Sequence, residues 1–237
     1  MKLCKFVFAA LLTIGAAPVA RATTISTAVG PVGTFSVSNS DLINTGASSL
    51  ASITDSGIAL FSSSFSELND GITYNGLTPA VGAANSANTF IPSDGSVVLA
   101  SLTGSATGYS ISSVVSLTGY NGLSRDSQNY DLAVHLVGTT ASLFVPIASP
   151  NFTNDGVNAE LQVTITGTGG ITPVAVGVDQ VQVTFHSVGG LEDAYQELDV
   201  FGTPTVPAPE PASCVLFGLG AVGLFFAARR RQQRQLP

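Results

Sequence analysis

The middle of the chain is dominated by short runs in which apolar and polar residues alternate. Because successive side chains of a β-strand point to opposite faces, this period of two predicts strands that bury one face each. Alternating or strand-like runs lie at 96–102, 109–117, 130–136, 142–147, 161–165, 181–185 and 198–200. Between the two ends of the chain, no segment has a helical period.

Turn-forming residues separate these runs. Asn-Asp-Gly, Ser-Asp-Gly, Asn-Gly and Gly-Gly sequences favour tight turns, because glycine and asparagine adopt the backbone angles that such turns need. They occur at 69–71, 93–95, 121–122, 154–156, 169–170 and 189–190. Many short strands with turns between them predict an all-β domain built as a β-sandwich.

The N-terminus has the three parts of a secretory signal. Lys2 and Lys5 precede a twelve-residue apolar run from Phe6 to Ala17. Ala20 and Ala22 then provide the small residues that a signal peptidase requires, which predicts cleavage after Ala22. The apolar run is too short to span a membrane. An alternative is a buried N-terminal helix, although nothing after Ala22 continues a helical pattern.

The C-terminus combines a proline-rich linker, an apolar segment and a basic end. Prolines in the linker exclude a helix, and the charge-free run from Ala212 to Ala228 is just long enough for a membrane helix. Arg229, Arg230 and Arg231 follow at once and are expected to stay cytoplasmic. The sequence thus predicts five parts: a signal peptide at 1–22, a β-sandwich domain at 23–203, a linker at 204–213, a transmembrane helix at 214–228 and a cytoplasmic tail at 229–237.

Pro209, Glu210 and Pro211, followed by that apolar helix and the arginine cluster, resemble a PEP-CTERM sorting signal. The resemblance implies an exported protein that an exosortase processes in the membrane after a signal peptidase has acted. It further implies a cell-surface or extracellular location, with the helix as an anchor before processing. An ordinary single-pass anchor remains the alternative.

The charge and the cysteine content of the domain argue against several classes of function. Residues 23–205 hold fourteen acidic residues against a single arginine, Arg125, which gives a net charge of −13 with both histidines neutral. Such a surface repels nucleic acid and attracts divalent cations. The two cysteines, Cys4 and Cys214, both lie outside these residues, so thiol chemistry and cysteine metal sites are excluded from the domain.

Three motifs resemble the discoidin-like, galactose-binding-like jelly roll. They are Leu68–Gly71, Leu117–Tyr130 and Ala194–Gly202, in that order. Members of that family often hold a structural calcium between the early Asp-Gly turn and a glutamate of the closing strand. The resemblance therefore implies a calcium site at Asp70 and Glu197; the alternative is a stabilised turn and a solvated strand residue.

Other candidate residues carry weaker signals. Sugar-binding members often present a tryptophan, which this chain lacks, so Tyr74, Tyr109 or Tyr120 would have to stack on a sugar instead. His135 and His186 have no metal-ligand spacing between them. Arg125 is expected to form a buried pair with a carboxylate that fixes its loop. Glu192 and Asp193 are expected in a solvated loop.

The sequence contains no Gly-x-Ser-x-Gly nucleophile elbow, no phosphate-binding loop and no metalloprotease motif. The leading hypothesis is therefore a non-enzymatic surface or matrix protein that associates with exopolysaccharide, with one structural calcium. The alternatives are an adhesive module that binds a defined glycan and, less favoured, a secreted hydrolase.

Overall fold

The computed structural model describes residues 22–31, 33–44, 51–55, 68–71, 90–119, 126–153, 159–187 and 193–206. Nearly all of the predicted signal peptide, most of the linker, and the predicted helix and basic tail lie outside them. Among the residues described, no helix is long and apolar enough to cross a membrane. The chain divides into two compact units, Met1–Thr205 and Val206–Pro237.

The first unit is built from β-strands, which confirms the all-β prediction. The strands are β1 (Thr23–Pro31), β2 (Ala51–Asp55), β3 (Val97–Leu102), β4 (Tyr109–Gly119), β5 (Gln128–Leu136), β6 (Phe144–Ala148), β7 (Asn151–Phe152), β8 (Ala159–Gly167), β9 (Ala175–Phe185) and β10 (Tyr195–Pro204). A single turn of 3-10 helix at Thr168–Gly170 joins β8 to β9.

The strands form two antiparallel layers that share one strand. In the first layer the order is β1-β8-β4-β10, and in the second it is β2-β3-β9-β5, with β6 and β7 paired to β5. Strand β9 connects the layers, because its start pairs with β4 at Tyr109 and Ile111 while the rest lies between β3 and β5. The predicted β-sandwich is confirmed.

One hydrophobic core lies between the layers, and the alternating residues of the sequence supply it. Val163 and Ile165 of β8 are fully buried, and Phe185 of β9 packs edge-on against Tyr195 of β10 at a ring distance of 4.7 Å. The Ser116 hydroxyl lies 2.8 Å from the Tyr130 hydroxyl across the layers. The core residues of the described ranges belong to the first unit, which is compact. A compact unit with its own hydrophobic core has what a domain needs to fold alone.

Segment 38–44 covers the outer edge of β10. The Leu42 N–H donates to the Val200 carbonyl at 2.8 Å, as a neighbouring strand would. Leu42 and Ile43 then insert into the core. A bridge between Phe90 and Tyr195 covers the start of the same edge. The edge of the first layer is thereby closed, and the polar side chains of β10 become buried.

Candidate functional site

Carboxyl groups gather where the covering segments meet β10. Leu198 and Val200 face the core, whereas Glu197 and Asp199 point the other way yet are only 1% and 3% exposed. Two segments bury them: residues 38–44, which carry Asp41, and residues 68–71. Asp41, Asp70, Glu197 and Asp199 are called the acidic cluster below. The alternative that Glu197 is a solvated strand residue is wrong.

The turn at residues 69–71 approaches Glu197 through its backbone. The Gly71 N–H donates to Glu197 Oε2 at 3.1 Å. Gly71 has φ +71°, and a Cβ at this position would overlap the Asn39 side chain, so only glycine fits. The Asn69 amide binds the Ile43 carbonyl and ties the turn to segment 38–44. The structure thus places the Asp70 turn beside Glu197.

Asp41 and Asp199 are held by backbone donors as well. Asp41 Oδ1 accepts from the Ile43 N–H at 2.8 Å and from the Val200 N–H at 3.4 Å. Asp199 Oδ2 accepts from the Ser38 N–H at 3.3 Å. Each carboxylate thereby has one oxygen fixed in position, and the segment and the strand are joined through acidic side chains.

The second oxygen of each of these carboxyl groups is buried without a hydrogen-bond partner, namely Asp41 Oδ2, Glu197 Oε1 and Asp199 Oδ1. The described residues contain no lysine or arginine that could neutralise them. Burial, with Asp199 as the largest neighbouring charge, raises the pKa of Glu197 to about 10. Burial and the charge of Asp41 raise the pKa of Asp199 to about 7, and burial raises that of Asp41.

This donor set fits a hard cation. Calcium takes six to eight oxygen ligands from carboxylates, carbonyls and water, and buried carboxylate oxygens without a donor are what such an ion neutralises. No three His, Cys, Asp or Glu side chains of the described segments are placed to hold a metal by themselves. Backbone carbonyls and water would therefore have to complete the coordination around Glu197 and Asp70.

A second acidic pair lies at the start of β10. Asp126 and Asp193 are 0% and 4% exposed, so the prediction of a solvated loop at Asp193 is wrong. Both oxygens of Asp193 are buried without a hydrogen bond. Burial, and then the charge of Asp126, raise the pKa of Asp193 to about 7. Glu192 lies outside the described residues, as does Arg125, whose pairing stays a prediction.

The two histidines are far apart, and each has its own carboxylate partner. His135 is 6% exposed; its Nδ1 lies 2.5 Å from Asp179 Oδ1 and its ring packs against Phe144. His186 Nε2 lies 2.9 Å from Asp131 Oδ2, near the protein surface. Their contacts are those of structural hydrogen bonds that join β5 to the neighbouring strand and loop.

A pocket of about 410 Å³ opens at the end of the first layer where β4 begins and β10 ends. The loop between β8 and β9 forms one wall, and segment 40–42 forms another. Five of the lining residues carry hydroxyl groups: Ser40, Ser110, Ser112, Thr172 and Thr203. Phe201 and Ile171 add apolar surface, Asp41 adds a carboxyl group, and none of the described residues that line the pocket is basic.

The pocket walls are fixed by hydrogen bonds and close packing. The Val174 N–H donates to the Ile111 carbonyl at 2.7 Å, which holds the end of the β8–β9 loop. Ser112 is the extra residue of a bulge against β10, and its hydroxyl donates to the Phe201 carbonyl at 3.2 Å. At Gly202 a Cβ would come within 2.6 Å of the Ser110 carbonyl, so the two strands approach closely only because glycine is there.

Sequence reasoning identified neither this pocket nor Phe201 as part of its lining. Tyr109 is 1% exposed and its hydroxyl binds the Thr103 carbonyl, so the prediction that it could stack on a sugar is wrong. Tyr74 and Tyr120 lie outside the described residues. Phe201 was detectable in principle, since Leu198 and Val200 define the core face of β10 and leave Phe201 on the other face.

A family model described as the PEP-CTERM protein-sorting motif matches residues 207–231. The sorting signal predicted at Pro209, Glu210 and Pro211 is thereby confirmed. The motif indicates an exported, surface-sorted protein and implies processing by an exosortase. No curated protein has significant sequence similarity to this chain.

Several solved structures are similar to this chain. CpGH89CBM32-5 from Clostridium perfringens, in complex with GalNAc-β-1,3-galactose, has a TM-score of 0.42 and 15% identity, over 64% of this chain and 94% of that chain. The family 32 carbohydrate-binding module of C. perfringens NanJ, in complex with galactose, has a TM-score of 0.41 and 11% identity, over 63% and 92%. Chitosan-binding module 1 of a chitosanase/glucanase from Paenibacillus sp. IK-5 has a TM-score of 0.40 and 17% identity, over 65% and 96%.

Proposed function

We propose that this chain is a non-enzymatic module of the cell surface or extracellular matrix that binds neutral segments of exopolysaccharide. The observation that carries the proposal is the pocket beside Phe201, where five of the described lining residues carry hydroxyls and none is basic. The confirmed sorting motif is consistent with such a location, because it indicates export to the surface.

The chemistry of the pocket favours a neutral, hydroxylated ligand. Serine and threonine hydroxyls both donate and accept hydrogen bonds, as the hydroxyls of a sugar do. An aromatic side chain adds an apolar surface against which a sugar ring can pack. The net charge of −13 over residues 23–205 repels anionic polymers. The volume of about 410 Å³ lies within the usual range for small-ligand pockets.

The Phe201→Ala variant of residues 22–206 should bind neutral polysaccharide about 2- to 13-fold more weakly than the unmodified fragment. The reason is the loss of ring packing, which contributes about 0.5–1.5 kcal/mol in aromatic contacts. Affinity electrophoresis through gels containing neutral or acidic polysaccharide measures the change. Val176→Ala is the matched control, since Val176 is 42% exposed and lies outside the pocket. The proposal would be contradicted if the Phe201 variant were retarded as strongly as the unmodified fragment, or if the unmodified fragment bound acidic polysaccharide better than neutral polysaccharide.

The alternative is an adhesive module that recognises one defined glycan in the same pocket. A glycan array distinguishes the two functions: adhesion requires a single strong group of related sugars, whereas matrix association gives weak binding to many neutral polymers. Hydrolysis is not favoured by the buried acidic pair, because Asp126 and Asp193 are both too buried to reach a polysaccharide.

We also propose that calcium binds at Glu197 and Asp70 and is structural. The unpartnered Glu197 Oε1, the neighbouring Asp70 turn and the adjacent Asp41 and Asp199 carboxyls support it. The ion would offset the repulsion within the acidic cluster and hold segments 38–44 and 68–71 on β10. Because Asp41 also lines the pocket, the same ion would keep one pocket wall in place.

Removal of residues 207–231 should abolish retention of the protein at the cell surface. The secreted domain should then appear in the medium, because this segment is the sorting motif. Fractionation with an antibody against the domain measures the distribution. The control is a chain in which the three arginines from 229 to 231 become lysines, which keeps the charge. Continued surface retention after the deletion would contradict a sorting role.

A further inference from the structure

Strand β1 is an exposed edge strand. It has nine residues, none of which is buried, and among the described strands it pairs only with β8. Its start is anchored, since the Ala22 carbonyl accepts from both the N–H and the hydroxyl of Thr168. The Thr23 hydroxyl also donates to the Ile147 carbonyl of β6 at 3.1 Å. The strand therefore has a fixed position, and its residues from Thr24 to Val29 are exposed.

One face of β1 continues the core face of the first layer. Ile25 lies opposite Ile165, Thr27 opposite Val163, and Val29 opposite Leu161, and these three β8 partners are at most 2% exposed. Residues opposite each other on paired strands lie on the same side of the sheet. Yet Ile25 and Val29 are 37% and 59% exposed. The core-facing row thus extends beyond the edge where the second layer ends.

The other edges of the sandwich are protected against pairing. Strand β6 has Pro146 at its centre, which cannot donate to a ladder. Strand β2 is five residues long and ends in Asp55. Strand β10 is covered by Leu42 and Phe90. Proteins commonly protect edges with prolines, charges, short strands or covering segments. Between Thr24 and Val29, β1 contains no proline and no charge, and all six residues are exposed.

The uncharged sequence of β1 favours a second copy of the chain as the occupant of this edge, although the acidic remainder of the two domains repels. The domain is strongly acidic, so a basic partner would be attracted to its carboxylates, but β1 contains no charged residue. A second copy provides an equally uncharged strand. Antiparallel pairing about a two-fold axis at Thr27 is self-complementary, because Ile25 of each copy then lies opposite Val29 of the other.

We propose that β1 pairs antiparallel with β1 of a second copy, with Thr27 facing Thr27 at the two-fold axis. The first layers of the two copies then form one continuous sheet, and the exposed apolar rows of the two strands pack side by side on one of its faces. The contact uses the same surface on both copies and closes at the dimer, so it does not propagate into a fibre.

The test is the mass of residues 22–206 in solution, measured by sedimentation equilibrium over a range of concentrations. The unmodified fragment should dimerise, and salt should strengthen the dimer by screening the repulsion between two acidic domains. Thr27→Lys places two like charges opposite each other and should give a monomer. Val176→Lys adds the same charge at an exposed site on β9 and should leave the dimer intact. A monomer at every concentration, or a dimer that Thr27→Lys leaves unchanged, would overturn the proposal.

A cross-linking experiment tests the register independently. Residues 23–205 contain no cysteine, so any disulfide-linked dimer of a single-cysteine variant must form through the introduced residue. Thr27→Cys should form a disulfide-linked dimer under mild oxidation, because directly opposed residues of an antiparallel pair have neighbouring Cβ atoms. Val176→Cys should remain monomeric. Equal cross-linking of both variants, or none at Thr27→Cys, would also overturn the proposal.

Discussion

Calcium is expected to raise the thermal midpoint of residues 22–206 by about 5 to 10 °C when the free ion is at a hundred times its dissociation constant. At that ratio a ligand that binds only the folded state contributes about 2.7 kcal/mol, and about 1 kcal/mol moves the midpoint of a domain of this size by 2 to 4 °C. The Asp70→Ala, Glu197→Ala double variant should lose the rise. Scanning calorimetry with calcium and with chelator measures both.

Two further variants separate ion binding from a general effect of charge. Asp94→Ala removes an acidic side chain that is 70% exposed and distant in sequence from the cluster, so it should keep the calcium response. Glu197→Gln removes the ionisable carboxyl group but keeps the size. It should stabilise the calcium-free domain near neutral pH, because the folded Glu197 must take up a proton that glutamine does not need, and it should abolish the response. The calcium proposal fails if calcium has no effect on the unmodified domain, or if the double variant responds equally.

The calcium-free domain should be more stable at about pH 4 than at about pH 8, opposite to the usual acid denaturation. Asp193, Asp199 and Glu197 have raised pKa values in the folded state: about 7, about 7 and about 10. At pH values above the ordinary pKa of a carboxyl group, the folded state therefore binds more protons than the unfolded state. Stability contributed by these protons is complete below the unfolded pKa and is lost as the pH rises through the folded pKa. The pH range over which this stability is lost ends near pH 7 for the two aspartates and near pH 10 for Glu197.

The Asp193→Asn variant isolates one part of this dependence. Its side chain cannot ionise, so the variant should be more stable than the unmodified domain at about pH 8 by a few kcal/mol, because one unit of pKa difference corresponds to about 1.4 kcal/mol. Near pH 4 the two proteins should be about equally stable. The calcium response should be unchanged, since Asp193 lies outside the acidic cluster. Urea unfolding at both pH values measures the difference, and a variant that is destabilised equally at both would contradict the burial of an uncompensated carboxyl group at Asp193.

Much of the fold follows from local pattern. The buried residues of β5, β8 and β9 alternate as the sequence predicts, because the period of a strand is a property of neighbouring residues. The turn at 69–71 was likewise predictable, since Asn-Asp-Gly favours it regardless of distant contacts. Pairing order was not predictable: β1 joins β8 and β4 joins both β8 and β10, contacts that local pattern does not specify.

The residues of the candidate site were likewise predictable only in part. The sequence named Asp70 and Glu197 by resemblance, but it placed Asp193 in solvent and offered Tyr109 as a sugar contact. Both predictions are wrong because both residues are buried in the structure. Burial depends on which segment covers a strand, and that segment can lie anywhere in the chain.

By itself, the sequence determined the exported, sorted character of this protein and the period-two strands of its acidic domain, because export signals and strand periodicity are encoded in consecutive residues. Only the tertiary structure brought Asp41 to Val200, 159 residues away, and Ser38 to Asp199, 161 residues away. Those long-range contacts bury the acidic cluster and form a wall of the pocket. The physical reason is that a carboxylate changes its pKa, and becomes a ligand for an ion, through the groups that surround it in space.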